Sequence, residues 1–202
     1  MNITKRFWKY CNAGEDIWKL ITSNDKTSVF KHKDKDFCYR IESIIDNTPA
    51  TVMSEIYNIK NRPKWDHDLE KSYVIEQVSP YNRIYYIQTK SVLICSARDF
   101  VTKNIIEKIE NGYLIATVGT EHPKEPKREG ILRGDVKIGG QVIYKNPLNP
   151  HQSCIIEIVD VDIKGLIPSF VLTLVTGTRF FEMMESLNNW VKDLPQLENW
   201  HV

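Results

Sequence analysis

The sequence predicts an α+β domain in which a curved antiparallel β-sheet grips a long C-terminal helix. Three observations predict it. From Ser72 to Asp162 the chain reads almost continuously as β, in runs rich in branched and aromatic residues separated by Asn or Gly turns. Strands so closely spaced favour an antiparallel meander over βαβ units. After a break at Lys164-Gly165-Leu166-Ile167-Pro168, a helical pattern runs from Ser169 to Asp193. At ~1.5 Å per residue it extends about 37 Å, enough to cross the mouth of such a sheet.

The elements follow in order. Phe7, Trp8, Cys11, Ile17, Trp18, Leu20 and Ile21 lie on either side of Gly14, which predicts two helical turns and a second helix from near Glu15. Two β-like runs, Thr27 to Lys31 and Phe37 to Ile45, flank the charged turn Lys33-Asp34-Lys35-Asp36 and predict a hairpin. Thr48-Pro49 predicts a helix start, with Thr48 as N-cap and Pro49 at the first helical position, where its missing N–H costs nothing. Val52, Met53, Ile56, Tyr57 and Ile59 give that helix an apolar face, and Pro63 ends it. Strands are predicted at 73–75, 83–90, 100–109, 113–118, 141–145 and 154–162. The first half of the final helix, Phe170-Val171-Leu172-Thr173-Leu174-Val175, is apolar nearly all round. Two readings fit that pattern: deep burial, or a face that touches lipid.

Composition narrows the function classes. With 27 Lys+Arg against 26 Asp+Glu in 202 residues the net charge is +1, which argues against a nucleic-acid footprint. No stretch reaches the ~18 uninterrupted apolar residues of a membrane span, and the N-terminus has no apolar signal region. Residues 1–202 read as one domain, expected in the cytoplasm. Its 4 cysteines form no CxxC pair and its 5 histidines no HExxH spacing, so neither a metal nor a disulfide framework is expected.

Four segments, in order, resemble the START domain, the StAR-related lipid-transfer module. They are Asn61-Arg62-Pro63-Lys64-Trp65-Asp66, Ser96-Ala97-Arg98-Asp99-Phe100-Val101, Arg128-Glu129-Gly130-Ile131-Leu132-Arg133-Gly134, and Val161-Asp162-Ile163-Lys164-Gly165-Leu166-Ile167-Pro168. The opening Phe7-Trp8-x-x-Cys11 with Trp18 resembles the phosphatidylcholine-transfer branch. The resemblance implies a helix-grip fold: a sheet around a hydrophobic tunnel closed by the C-terminal helix and an adjacent Ω-loop. It implies one bound lipid, no cofactor and no chemistry.

The resemblance also implies site residues. Arg62, three residues before Trp65, matches an arginine that pairs with lipid phosphate, assisted by Tyr57. A planar guanidinium suits phosphate because it donates two parallel hydrogen bonds while keeping its charge. Tyr86, Gln88, Phe100 and Asn104 would line the wall, Tyr86 and Phe100 as remnants of a choline cage. The family's buried acid–arginine pair is missing: its arginine position reads Asn104, and Tyr85-Tyr86-Ile87-Gln88-Thr89 has no carboxylate. A Gln88–Asn104 pair would replace it. Arg98 and Asp99 read as structural, Asp99 satisfying backbone donors and Arg98 bonding a carbonyl or carboxylate, and Trp65 reads as a packing anchor. Val92, Leu93 and Ile94 fall at the Ω-loop and, with Phe170, Val171, Leu174 and Val175, would form the lid and membrane contact; strand residues are the other reading of 92–94.

The expected function is transfer of one lipid, a phospholipid favoured and a sterol or ceramide possible, by a monomer that touches membranes transiently and peripherally. A lipid sensor without transfer is the alternative, and a helix-grip enzyme such as a cyclase a more distant one.

Overall fold

The computed structural model describes the backbone of residues 2–91, 96–166 and 169–201, and their side chains except 169–177. In chain order the elements are α1 (Ile3–Cys11), β1 (Trp18–Ser23), β2 (Thr27–His32), β3 (Cys38–Ile45), α2 (Pro49–Tyr57) and β4 (Leu69–Ser79). They continue with β5 (Asn82–Thr89), β6 (Arg98–Ile109), β7 (Gly112–Gly119), β8 (Leu132–Arg133), β9 (Asp135–Lys145), β10 (Ser153–Asp162) and α3 (Ser169–Val191). A short 3-10 turn, Arg62–Lys64, follows α2.

These strands build one ten-stranded sheet in the order β1-β2-β3-β10-β9-β7-β6-β5-β4, with β8 beside β6. Neighbours along this path are antiparallel, whereas β8 runs parallel to β6. The architecture is the helix-grip fold expected from the sequence. At Gly140 (φ +131°) a Cβ would stand 1.9 Å from the Ile115 carbonyl oxygen, so only glycine lets β9 approach β7 there.

Two elements differ from expectation: the short strand β8 was not foreseen, and a predicted helix is a strand. The helix predicted from Glu15 is strand β1, paired with β2 from Trp18↔His32 to Ser23↔Ser28. Apolar residues at 17, 18, 20 and 21 satisfy a helical face and a strand equally. The choice falls to the unpaired edge of β2, which offers this segment a hydrogen-bonding ladder that a helix would leave open. At the expected N-cap, Thr48 accepts from the Thr51 amide, with Pro49 opening α2.

Two cores sit on opposite faces of the sheet. Under α1 pack Phe7, Cys11, Trp18, Cys38, Leu114 and Ile138. Cys11, Cys38 and Cys154 are free thiols, and burial pushes the first two up to about 12, leaving them unreactive at neutral pH. On the concave face Ile41, Met53, Trp65, Ile115, Ile143 and Leu187 pack with α2 and α3. The C-terminal end of α3 is fastened tightly. Fully buried Asn47 donates to the carbonyls of Val191 (2.7 Å) and Leu194 (3.0 Å). Asn188 exchanges bonds with Asp46, and Trp190 Nε1 donates to Glu55 at 2.7 Å. Beyond α3, Trp200 stacks edge-on against Tyr57 and Tyr113.

Candidate functional site

Between the concave face and α3 lies a cavity of about 390 Å³. Strand pairing dictates which residues reach it, because residues directly opposite on neighbouring strands share a face. Ile106 lies opposite Ile115, Ile115 opposite Gln141, and Gln141 opposite Glu157. The next inward row joins Asn104, Thr117, Gly139 and Val159. Tyr85, Ile87, Phe100 and Thr102 extend the wall, α2 contributes Ile56 and Tyr57, and α3 contributes Arg179, Phe180 and Met183.

Of the six expected lipid-binding residues, Tyr57, Arg62, Phe100 and Asn104 border this cavity, and Tyr86 and Gln88 do not. On β5 the inward positions are Tyr85, Ile87 and Thr89. A one-residue change of parity moves a strand's whole set of side chains to the other face. Tyr86 is fully buried on the opposite side, stacked on Tyr73 with ring centroids 5.0 Å apart. Its hydroxyl donates to Gln88 Oε1 (3.0 Å) and accepts from Arg128 (2.9 Å). The expected Gln88–Asn104 pair therefore does not form: Gln88 lies opposite Asp99, and Asn104 opposite Arg83. With Tyr86 turned away, the cage it was to share with Phe100 is lost.

Tyr57 borders the cavity as a packing surface. Its hydroxyl donates to the Pro80 carbonyl at 3.3 Å, and the Arg83 guanidinium lies 3.5 Å from its ring centroid. Arg62 donates through Nε to Asp66 at 2.9 Å and stands 5.7 Å from the Trp65 ring. Trp65 is a buried anchor as expected, and it also lines the cavity. Arg98 donates to the carbonyls of Ser96, Ile163 and Lys164. Asp99 departs from the expected bonding to backbone donors: it takes a two-pronged ion pair from Arg133, Nε to Oδ1 at 2.7 Å and Nη2 to Oδ2 at 2.8 Å. Val92, Leu93 and Ile94 lie outside the described residues, as do the side chains of Phe170, Val171, Leu174 and Val175.

The cavity has not lost its charge, contrary to what the sequence suggested. Glu157 lies deep within it and accepts from Gln141 Nε2 at 3.1 Å. Burial pushes its carboxyl up to about 7, with nearby Asp66 adding to the rise, against the opposing pull of Arg62 and the Gln141 bond. Trp65 Nε1, Thr102 Oγ1 and Asn104 Oδ1 are buried with no hydrogen-bond partner. A signal for Glu157 was present: it interrupts Ile155-Ile156 and Ile158-Val159, so neither face of that strand reads as wet, and its carboxylate needs a polar interior space. Nearer the mouth, Arg179 pairs with Asp68 and Lys90 donates to the His67 carbonyl. Among the described residues no cluster of His, Cys, Asp and Glu could hold a metal ion, and no helix is long and apolar enough to cross a membrane.

The START domain family matches residues 4–199. Human StAR-related lipid transfer protein 6 is 26% identical over 167 residues, covering 79% of this chain and 76% of that protein. Mouse acetyl-coenzyme A thioesterase is 24% identical over 162 residues, covering 78% of this chain but 29% of its own length. The structure of human StAR-related lipid transfer protein 5 superposes with a TM-score of 0.86 at 22% identity, covering 94% of this chain and 93% of that one. The sheet, the gripped helix and the cavity beneath it thus coincide with a family match across nearly the whole sequence, and the chain belongs to the START domain family.

Proposed function

We propose that this chain, as a monomer, binds one lipid in the cavity beneath α3 and carries it between membranes without altering it. The observation that carries the reading is the shape of the cavity: apolar walls leading to a polar cluster around Glu157, Gln141, Arg62 and Asp66. Hydrating a lipid tail costs roughly 0.8 kcal/mol per CH₂, so a chain of ~16 such groups gains about 13 kcal/mol from a dry wall. A bilayer offers the same burial, and lipid can be handed over when the cavity opens against it. Leu166, fully exposed beside the cavity-lining Ile163, and half-exposed Leu132 supply an apolar tip for transient, peripheral docking from the cytoplasmic side.

One observation favours a phospholipid. Arg62 borders the cavity, and only its Nε is engaged, with Asp66. The test is native mass spectrometry of the purified chain with its co-purifying lipid identified, followed by transfer between donor and acceptor liposomes. Bound lipid that exchanges between vesicles supports the reading; bound lipid without exchange makes the chain a sensor. A chain that holds no lipid overturns both. Arg62→Ala should weaken phospholipid transfer, and unchanged transfer removes Arg62 from the site.

A further inference from the structure

The hairpin that joins β4 to β5 carries a serine directly before a proline, Ser79-Pro80, at the outer edge of the sheet. Residues 76–81 are exposed one after another, and the β4–β5 ladder slips its register twice nearby, between Val74 and Glu76 and between Gln77 and Ser79. An edge strand loosened by bulges is an extended backbone with one side unpaired, the form in which a peptide enters an enzyme groove. Half-exposed Val78 and Tyr81 flank the pair as apolar handles. The chain's other hydroxyl residue before a proline, Thr48, is the opposite case. Its hydroxyl donates to the Leu197 carbonyl at 2.7 Å and its backbone is locked into the start of α2.

We propose that Ser79 is a phosphorylation site for a proline-directed serine/threonine kinase. Pro80 fixes φ and offers no N–H, so the enzyme must accept proline directly after its serine. In the transfer Ser79 Oγ attacks the γ-phosphorus of ATP. The Oγ–P bond forms, the bond from that phosphorus to the β,γ-bridging oxygen breaks, ADP departs with the electron pair, and the hydroxyl proton goes to the kinase's base. The product carries a charge of about −1.5 to −2 and three strong acceptor oxygens.

The fold gives this mark a route to the cavity. Arg83, opposite Gln77 on β5, donates to the Gln77 side chain and to the Tyr57 carbonyl (3.4 Å), with its guanidinium over the Tyr57 ring. Gln77 in turn donates to the Ser79 carbonyl, and the Tyr57 hydroxyl to the Pro80 carbonyl. A phosphate on Ser79 offers Arg83 charge-assisted bonds stronger than its present neutral ones and draws it off Tyr57. Tyr57 borders the cavity and packs against Trp200, so the clasp on the chain beyond α3 loosens. That consequence rests on the lipid-transfer reading above; the modification itself does not.

The test incubates the full chain with an active proline-directed kinase of the mitogen-activated class and magnesium ATP, followed by peptide mapping in a mass spectrometer. Phosphate should appear on Ser79 and not on Thr48, and Ser79→Ala should take up none. The phosphorylated chain should move fluorescent phospholipid between liposomes about two- to fivefold faster, the factor expected for loss of an exposed cation–π contact. Arg83→Gln should be insensitive to the phosphate. No phosphate on Ser79, or as much on Thr48, overturns the site. Phosphate on Ser79 with an unchanged rate, or the same acceleration in Arg83→Gln, overturns the coupling while lipid transfer stands. If neither form moves lipid, the transfer reading fails and the mapped phosphate still decides the site.

Discussion

Replacing Arg133 with Met tests how the wall of the cavity is held in place. Asp99 sits on β6, beside the wall residue Phe100, with a side chain only 1% exposed, and Arg133 is its ion-pair partner. The same guanidinium reaches the Glu125 carbonyl at 3.2 Å and so ties the 121–131 loop to the outer face of the sheet. Met keeps the length of the side chain and removes the charge, leaving Asp99 as a buried acid without its cation. Breaking such a pair costs about 3–5 kcal/mol. At ~2–4 °C per kcal/mol for a chain of this size, the melting temperature should fall by roughly 6–20 °C. Equilibrium urea unfolding at pH 7 with an unchanged m-value measures the cost directly. The double variant Asp99→Leu/Arg133→Met should recover most of the loss, since an apolar pair of similar volume often replaces a buried ion pair at little cost. Arg62→Met is the control: that pair is partly exposed, 27% and 11%, and should yield about 1 kcal/mol or less. A single Arg133→Met variant within about 1 kcal/mol of the parent would refute the reasoning.

Four further outcomes follow from the structure. Between pH 4.5 and about 7 native Glu157 holds a proton that the unfolded chain releases. Stability contributed below that window is therefore lost as pH rises through it, by about 3 kcal/mol at most. Glu157→Gln should flatten this slope in pH-dependent melting and raise the melting temperature at pH 8 by several degrees. Gly140→Ala should cost about 3 kcal/mol or more in denaturant unfolding, because the added carbon strikes the Ile115 carbonyl. Gly130→Ala, at φ +78° with nothing within 4 Å of the new carbon, should cost only the roughly 1–2 kcal/mol of a left-handed backbone. Thr117→Phe projects a ring into the cavity and should lower uptake of a fluorescent lipid while leaving the fold intact by circular dichroism.

Local signals were the legible ones. Thr48-Pro49 marks the start of α2 from two adjacent residues, and the breaks at Asn and Gly delimit the strands, because caps and turns depend only on near neighbours. The parity of β5 was not legible. Tyr85 and Tyr86 stand side by side, so either alternation gives an apolar face, and the choice is made by pairing Tyr85 with Thr102 and Ile87 with Phe100. That register is a non-local fact. β1 failed for a related reason, since its pattern fits two periods and an edge partner decides. Arg62 and Asn104 were placed at the cavity by the family resemblance, through their spacing from its motifs. Glu157 was overlooked because the strand at 154–162 was read for its branched residues, and the lone acid among them, which marks a polar interior, went unremarked.

The fastening of α3 has a mechanical consequence. Asn47, Asp46 and Glu55 rivet the end near Val191, and the chain beyond it is threaded back to Thr48 and Tyr113. Any swing that uncovers the cargo therefore has its fulcrum at that end, and leverage grows toward Ser169, where a small rotation sweeps the widest arc over the rim.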